Sequence, residues 1–197
     1  LNSSVFGERM RGKGEYWAAT ERLFRIHCQR LGFNRPRTHE TSATWSVDGW
    51  YTNELAIAPD GRRLYVSQYG NQEVVVIDLE TRQITGRIHT VGRPRGLVVS
   101  LDGAELYVAN WDYAEVTVFD LATQQRIAQL PADEAVSDVA LTPDGTQLYV
   151  TVPAFGVDVI DRVSHATLQR INVLGGAAHV AFDPVGSTAV LTLNGSG

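Results

Sequence analysis

From Leu55 onward the chain alternates short β-branched apolar runs with turn residues, and the alternation recurs. LYVSQYGNQEVVVID, from Leu64 to Asp78, returns as LYVANWDYAEVTVFD at 106–120 and as LYVTVPAFGVDVID at 148–161. A fainter copy, AVLTLNGSG, starts at Ala189. Runs of this length, rich in Val, Ile and Tyr and bounded by Gly, Asp and Pro, read as strands. The turns set the period: Asp60, Asp102 and Asp144 stand in PDG, LDG and PDG, a constant step of 42 residues. Tyr65, Tyr107 and Tyr149 keep the same step.

A period of this size suits either four-stranded propeller blades or helical HEAT-type pairs, and the strand pattern selects blades. The first unit reads, from the channel outward, LAIAP (55–59), RLYVSQ (63–68), EVVVID (73–78) and QITGRI (83–88). The second gives GLVVS, ELYVAN, EVTVFD and QRIAQL; the third gives DVALT, QLYVTV, VDVID and TLQRI; the fourth gives only HVAFD and TAVLTL. The predicted fold is all-β, a partial propeller of about three and a half four-stranded blades. Pro-Asp-Gly suits a tight reversal, since Pro presets φ, Asp bonds its own backbone and Gly takes a positive φ. Asp78, Asp120 and Asp161 each end a third strand and precede Thr81, Thr123 or Ser164 by three residues. That repetition points to a turn cap rather than a metal ligand.

Upstream the pattern changes. Residues 1–14 are polar, basic and glycine-rich, and 15–31 place Trp17, Phe24, Cys28 and Leu31 on one helical face, with Gly32 as the stop. Residues 42–50 (SATWSVDGW) alternate weakly, as an outer strand would. Charge follows the same division. Residues 1–40 carry eight Arg or Lys against four Asp or Glu, and the rest nine against eighteen, within a net charge of −5. The expected organisation is therefore 1–40, a basic loop plus one helix, either an appendage or a foreign fragment, and 41–197, an incomplete set of blades. An acidic blade region argues against broad nucleic-acid binding. No apolar run approaches the roughly 18 residues of a membrane span.

The opening LNSSVFGERM lacks the basic-then-apolar pattern of a secretory leader, and both ends read as cut. The single cysteine, Cys28, rules out an internal disulfide framework or a cysteine-built zinc site. Gly7 to Lys13 fits the start of a phosphate-binding loop, but Gly14 replaces the hydroxyl residue and no apolar strand precedes it.

LYVAN, VIDLETRQI, VGRPRGLVVSLDG and TPDGTQLYVT resemble the YVTN-type β-propeller repeat over about residues 53–195. That resemblance implies a bacterial or archaeal protein, periplasmic or surface-associated, usually of seven blades. Its remaining blades, or a second copy, would close the ring. Related propellers include lactonase-like hydrolases and haem- or quinone-associated oxidoreductases. Separately, FGERMRGKGEYWAATERLFRIHCQRLGFNR, about residues 6–35, is similar to the C-terminal tail of one radical SAM family. The three-cysteine cluster motif of those enzymes is missing here, so no such activity carries over.

In a propeller, the loops between strands two and three and those between blades share one face. SQYGNQE, TVGRPRG, NWDYAE, PADEAVS, VPAF and LGGAAH belong to it. Tyr69, Trp111 and Tyr113 lie there with Arg93, Arg95 and Asp112. Aromatics beside guanidinium groups suit a planar or anionic ligand, or single-stranded nucleic acid; the bland alternative is that the arginines pair with Asp112, Asp133 or Glu134. Glu54, Gly96, Asp138 and His179 share one repeat position, where each inner strand begins, near the channel. Two carboxylates and an imidazole there are candidate metal ligands or acid–base groups.

No Gly-x-Ser-x-Gly or His-Glu-x-x-His motif is present, and no motif calls for a cofactor. The leading expectation is a noncatalytic propeller that binds a small ligand or a protein through one face. The alternatives are a propeller enzyme, either a lactonase-like or metal-assisted hydrolase or a redox-associated one, and a single-strand nucleic-acid binder.

Overall fold

The structure is a computed structural model in which residues 52–183 and 188–193 are described. All of them belong to a unit running from Val47 to Gly197. The basic segment 1–40 with its predicted helix and Cys28, and the candidate strand 42–50, lie outside the described residues. Among the described residues no helix is long and apolar enough to cross a membrane.

Three antiparallel sheets of four strands follow one another. The first holds β1 (Thr52–Ile57), β2 (Arg63–Gln68), β3 (Glu73–Asp78) and β4 (Gln83–His89) in sequential order. The second holds β5 (Pro94–Val99), β6 (Glu105–Asn110), β7 (Glu115–Asp120) and β8 (Gln125–Pro131). The third holds β9 (Asp138–Leu141), β10 (Gln147–Val152), β11 (Gly156–Asp161) and β12 (Thr167–Asn172). Two strands, β13 (Ala177–Phe182) and β14 (Ala189–Leu193), begin a fourth. These are propeller blades, as the period predicts, and the second strands match their expected bounds in all three complete blades.

The inner strands differ from expectation. β1 begins at Thr52 and β5 at Pro94, three and two residues earlier than the apolar runs suggest. The register shifts between Thr52 and Leu55 and between Pro94 and Leu97. Such a bulge lets pairing continue through polar residues that break a two-residue alternation.

The core lies between blades. In β6, Leu106 and Val108 pack with Tyr65, Val74 and Val76 of the first blade. The alternate residues Tyr107 and Ala109 pack with Leu148 and Val150 of the third. Period-two side chains thus serve two neighbours at once, which is why both sets are apolar. Tyr149 and Phe182 meet edge-to-face at 4.8 Å and join the third blade to the fourth. The second and third blades also share a polar clamp. Arg162 donates to Glu105 Oε2 at 2.9 Å, to the Tyr107 hydroxyl at 3.0 Å and to Asp102 Oδ2 at 3.2 Å.

The turns form as their residues dictate. Gly61, Gly103 and Gly145 take φ of 69°, 72° and 71°. Asp78, Asp120 and Asp161 accept the backbone N–H of Thr81, Thr123 and Ser164 at 2.6, 2.7 and 2.7 Å. These bonds and those from the hydroxyls of the same residues, the Thr123 hydroxyl foremost at Asp120, hold the three carboxyls below the usual range. At Asp102 the Ser100 hydroxyl, then the Ala104 N–H, lower it to about 2. Folded values below the unfolded value of about 3.9 mean stability that is present above about pH 4 and lost as pH falls toward the folded values. Urea midpoints should therefore drop from pH 5 to pH 3; a flat profile would contradict this account of the turns.

Each complete blade also buries a carboxylate near its outer strand. Glu73 pairs with Arg87, and Asp158 with Arg170 at 2.6 Å. In the second blade Gln129 stands in the place of arginine and donates to Glu115. Glu73 is 6% exposed. Removing its partner leaves a buried charge bare, so Arg87→Ala should cost about 2 kcal/mol, below the usual loss because the guanidinium is partly solvated. Urea denaturation checks it; a loss no larger than that of an exposed pair would refute it.

Candidate functional site at the head of the channel

The inner strands carry the site. Glu54 lies on β1, Gly96 on β5, Asp138 opens β9 and His179 lies on β13, one position per blade. Asp138 is 6% exposed. Its Oδ1 accepts the Val139 N–H at 2.8 Å, and its Oδ2 accepts the Val180 N–H of the next blade at 3.0 Å. His179 Nδ1 stands 3.6 Å from Asp138 Oδ2 and 3.9 Å from Glu54 Oε2. One ligand atom from each of the three side chains lies within 4.8 Å of the other two. Gly96 has to be glycine here: a Cβ would fall 2.3 Å from Asp138 Oδ1 and 2.5 Å from its Cα.

A cavity of about 310 Å³ opens on the cluster, lined by Glu54, Asp138, His179, Val180, Val190 and Thr192 among others. A second, of about 410 Å³, runs from Glu54 and Asp138 along the inner strands past Leu97, Val139 and Phe182. Burial pushes both carboxyls above their usual range. For Glu54 the negative charge of Asp138 adds to the rise, and His179 opposes it. For Asp138 the two backbone N–H groups oppose it.

Two hydroxyls brace the cluster. Ser67 Oγ accepts the Glu54 N–H at 2.9 Å and donates to the Arg95 carbonyl at 2.9 Å, bridging the first two blades. Thr151 Oγ1, at the same repeat position, donates to the Ala178 carbonyl at 3.1 Å and bridges the third and fourth. Sequence reasoning passed over both as ordinary strand residues. The available signal was a hydroxyl residue at one position of the second strand in two of the three complete blades, Ser67 and Thr151, with Ala109 between them.

The aromatic group lies in loops of the same face. Trp111, Asp112 and Tyr113 form a short 3₁₀ turn after β6. Arg93 stacks over Tyr69 at 4.6 Å, and its Nε reaches Asp112 at 2.7 Å. Its charge is thus met within the loops, and the hydrogen bond to Asp112 holds its pKa up. Arg95 stacks over Trp111 at 4.3 Å and has no carboxylate partner among the described residues. Asp133, another possible partner, pairs with Arg170 at 2.8 Å. Tyr113 lies over Gly92, where a Cβ would come 2.5 Å from its ring.

The family model described as lactonase, 7-bladed beta-propeller, matches residues 22–130. The chain belongs to that family. Among solved structures, this lactonase-family chain is similar to one from Kuenenia stuttgartiensis hydrazine synthase, with a TM-score of 0.72 and 28% identity. The match covers 83% of this chain and 46% of that one, so the chain spans under half the length of that relative. No curated protein matches the chain. The two names denote unrelated reactions, so architecture alone assigns neither.

Proposed function

We propose that this lactonase-family propeller binds a small oxygen-rich ligand at the head of its channel and opens cyclic esters there. The convergence of Glu54, Asp138 and His179 from three blades carries the reading. Three polar groups gathered in a cavity, with one carboxylate fixed by two backbone N–H groups, are what water activation needs. The reaction adds water to the acyl carbon, breaks the ring C–O bond and places a proton on the departing oxygen, giving a hydroxy acid. The family description supports that reaction class, and the cavity supplies space for a ring of five or six atoms.

The test is proton release from a panel of γ- and δ-lactones by the intact protein. Turnover above the spontaneous rate, lost in His179→Ala, is the expected result. No release from any lactone would end the hydrolytic reading. It would favour a noncatalytic binding propeller, for which the supporting observation is Arg95 stacked on Trp111 without a carboxylate partner among the described residues. Nucleic-acid binding is the weaker reading: Asp112 meets the charge of Arg93, which leaves few free cations among the described residues of these loops for a phosphate backbone.

A further inference from the structure

We propose that Glu54, Asp138 and His179 hold one divalent transition-metal cation, of the zinc or manganese class, at the head of the channel. The inference rests on the reading that this cluster is the functional site. It adds the agent that activates the water.

The donor set comes first. Two hard carboxylate oxygens and one borderline imidazole nitrogen make a set suited to zinc or manganese. Their ligand atoms lie within 4.8 Å of one another. Bonds of about 2.0–2.2 Å require ligand atoms roughly 3.4–4.2 Å apart. The adjustment falls on side chains free to make it: the His179 imidazole is 57% exposed and the Glu54 carboxylate 36%. Asp138 need not move, because two backbone N–H groups from different blades already fix it.

Charge points the same way. Two carboxylates face one cavity, one of them almost wholly buried, and no Arg or Lys reaches either among the described residues. Burying an uncompensated charge is costly, and a bound cation removes that cost. The fourth repeat position supplies the third observation. Gly96 contributes no side chain, so the repeat position offers three ligands, and the cavity of about 310 Å³ lined by all three leaves room for water or substrate beside them. Three protein ligands with one open position is the arrangement of hydrolytic zinc sites.

A cation there lowers the pKa of its bound water toward about 7. The resulting hydroxide adds to the lactone carbonyl carbon, and the ring C–O bond breaks. The proton given up by the water ends on the ring oxygen, so atoms and charge balance without a further reactant.

The experiment is calorimetric titration of the chelator-stripped intact protein, with Zn²⁺ and Mn²⁺ in separate runs. One site is expected for at least one ion. His179→Ala should weaken it 10- to 100-fold or more, and Glu54→Gln about 10-fold. Glu54→Gln guards against a folding artefact, since the side chain is only part-buried. Absence of binding by both ions overturns the proposal, as does binding that neither variant alters. Lactone turnover unchanged after chelation overturns it too, while leaving the hydrolytic reading intact. Binding with no turnover on any lactone supports the cation site and removes the hydrolytic reading instead.

Discussion

Asp138→Ala should lower lactone-opening kcat/KM by at least about 100-fold, the scale on which a positioned acid–base or metal-holding carboxylate acts. The residue joins the cluster on both sides. Its Oδ2 lies 3.6 Å from His179 Nδ1 and also takes the Val180 N–H that ties the third blade to the fourth. Alanine removes the ligand and leaves two N–H groups, of Val139 and Val180, without their acceptor. Each buried unsatisfied donor costs about 1–3 kcal/mol, so stability falls as well. The two effects separate by measurement. Kinetics normalised to folded protein, with the folded fraction taken from circular dichroism, should still show the full loss of rate. A loss that merely tracks unfolding would make Asp138 a structural group.

Gly96→Ala should be strongly destabilising, costing about 3 kcal/mol. The added Cβ would meet Asp138 Cα at 2.5 Å and the Val139 nitrogen at 2.9 Å. Both are backbone atoms of the next blade, and they cannot swing aside. Gly92→Ala makes an informative contrast. Its Cβ would meet the Tyr113 ring at 2.5 Å, but that ring is 60% exposed and can rotate away. Urea midpoints should fall sharply for Gly96→Ala and slightly for Gly92→Ala. Equal shifts would mean that the two inner strands can move apart, and would weaken the case for a rigidly spaced cluster.

Much of the architecture was legible because a propeller converts sequence period into rotation about an axis. The second strands were exact in extent because both of their faces are apolar, as Leu106 and Tyr107 show by packing against different blades. The early starts of β1 and β5 were hidden, since a bulge breaks the alternation on which such a reading depends. Alignment placed Glu54, Gly96, Asp138 and His179 at one repeat position. Their approach was not legible, because it depends on how closely four inner strands gather, and spacing along the chain carries no such information. The pairing of Arg93 with Asp112 stood among the possible partners, but choosing it required the 3₁₀ turn at 111–113. Nor does the repeat show why one member of that position is glycine: the space beside Gly96 is filled by Asp138.

The most direct test of the central claim is a crystal structure of the intact protein soaked with a hydroxy acid, the product of ring opening. The account predicts its carboxylate within hydrogen-bonding or metal-bonding reach of Glu54, Asp138 and His179, inside the cavity at the head of the channel. Density instead between Arg95, Trp111 and Tyr69, with the cluster untouched, would contradict it and move the binding site to the loops.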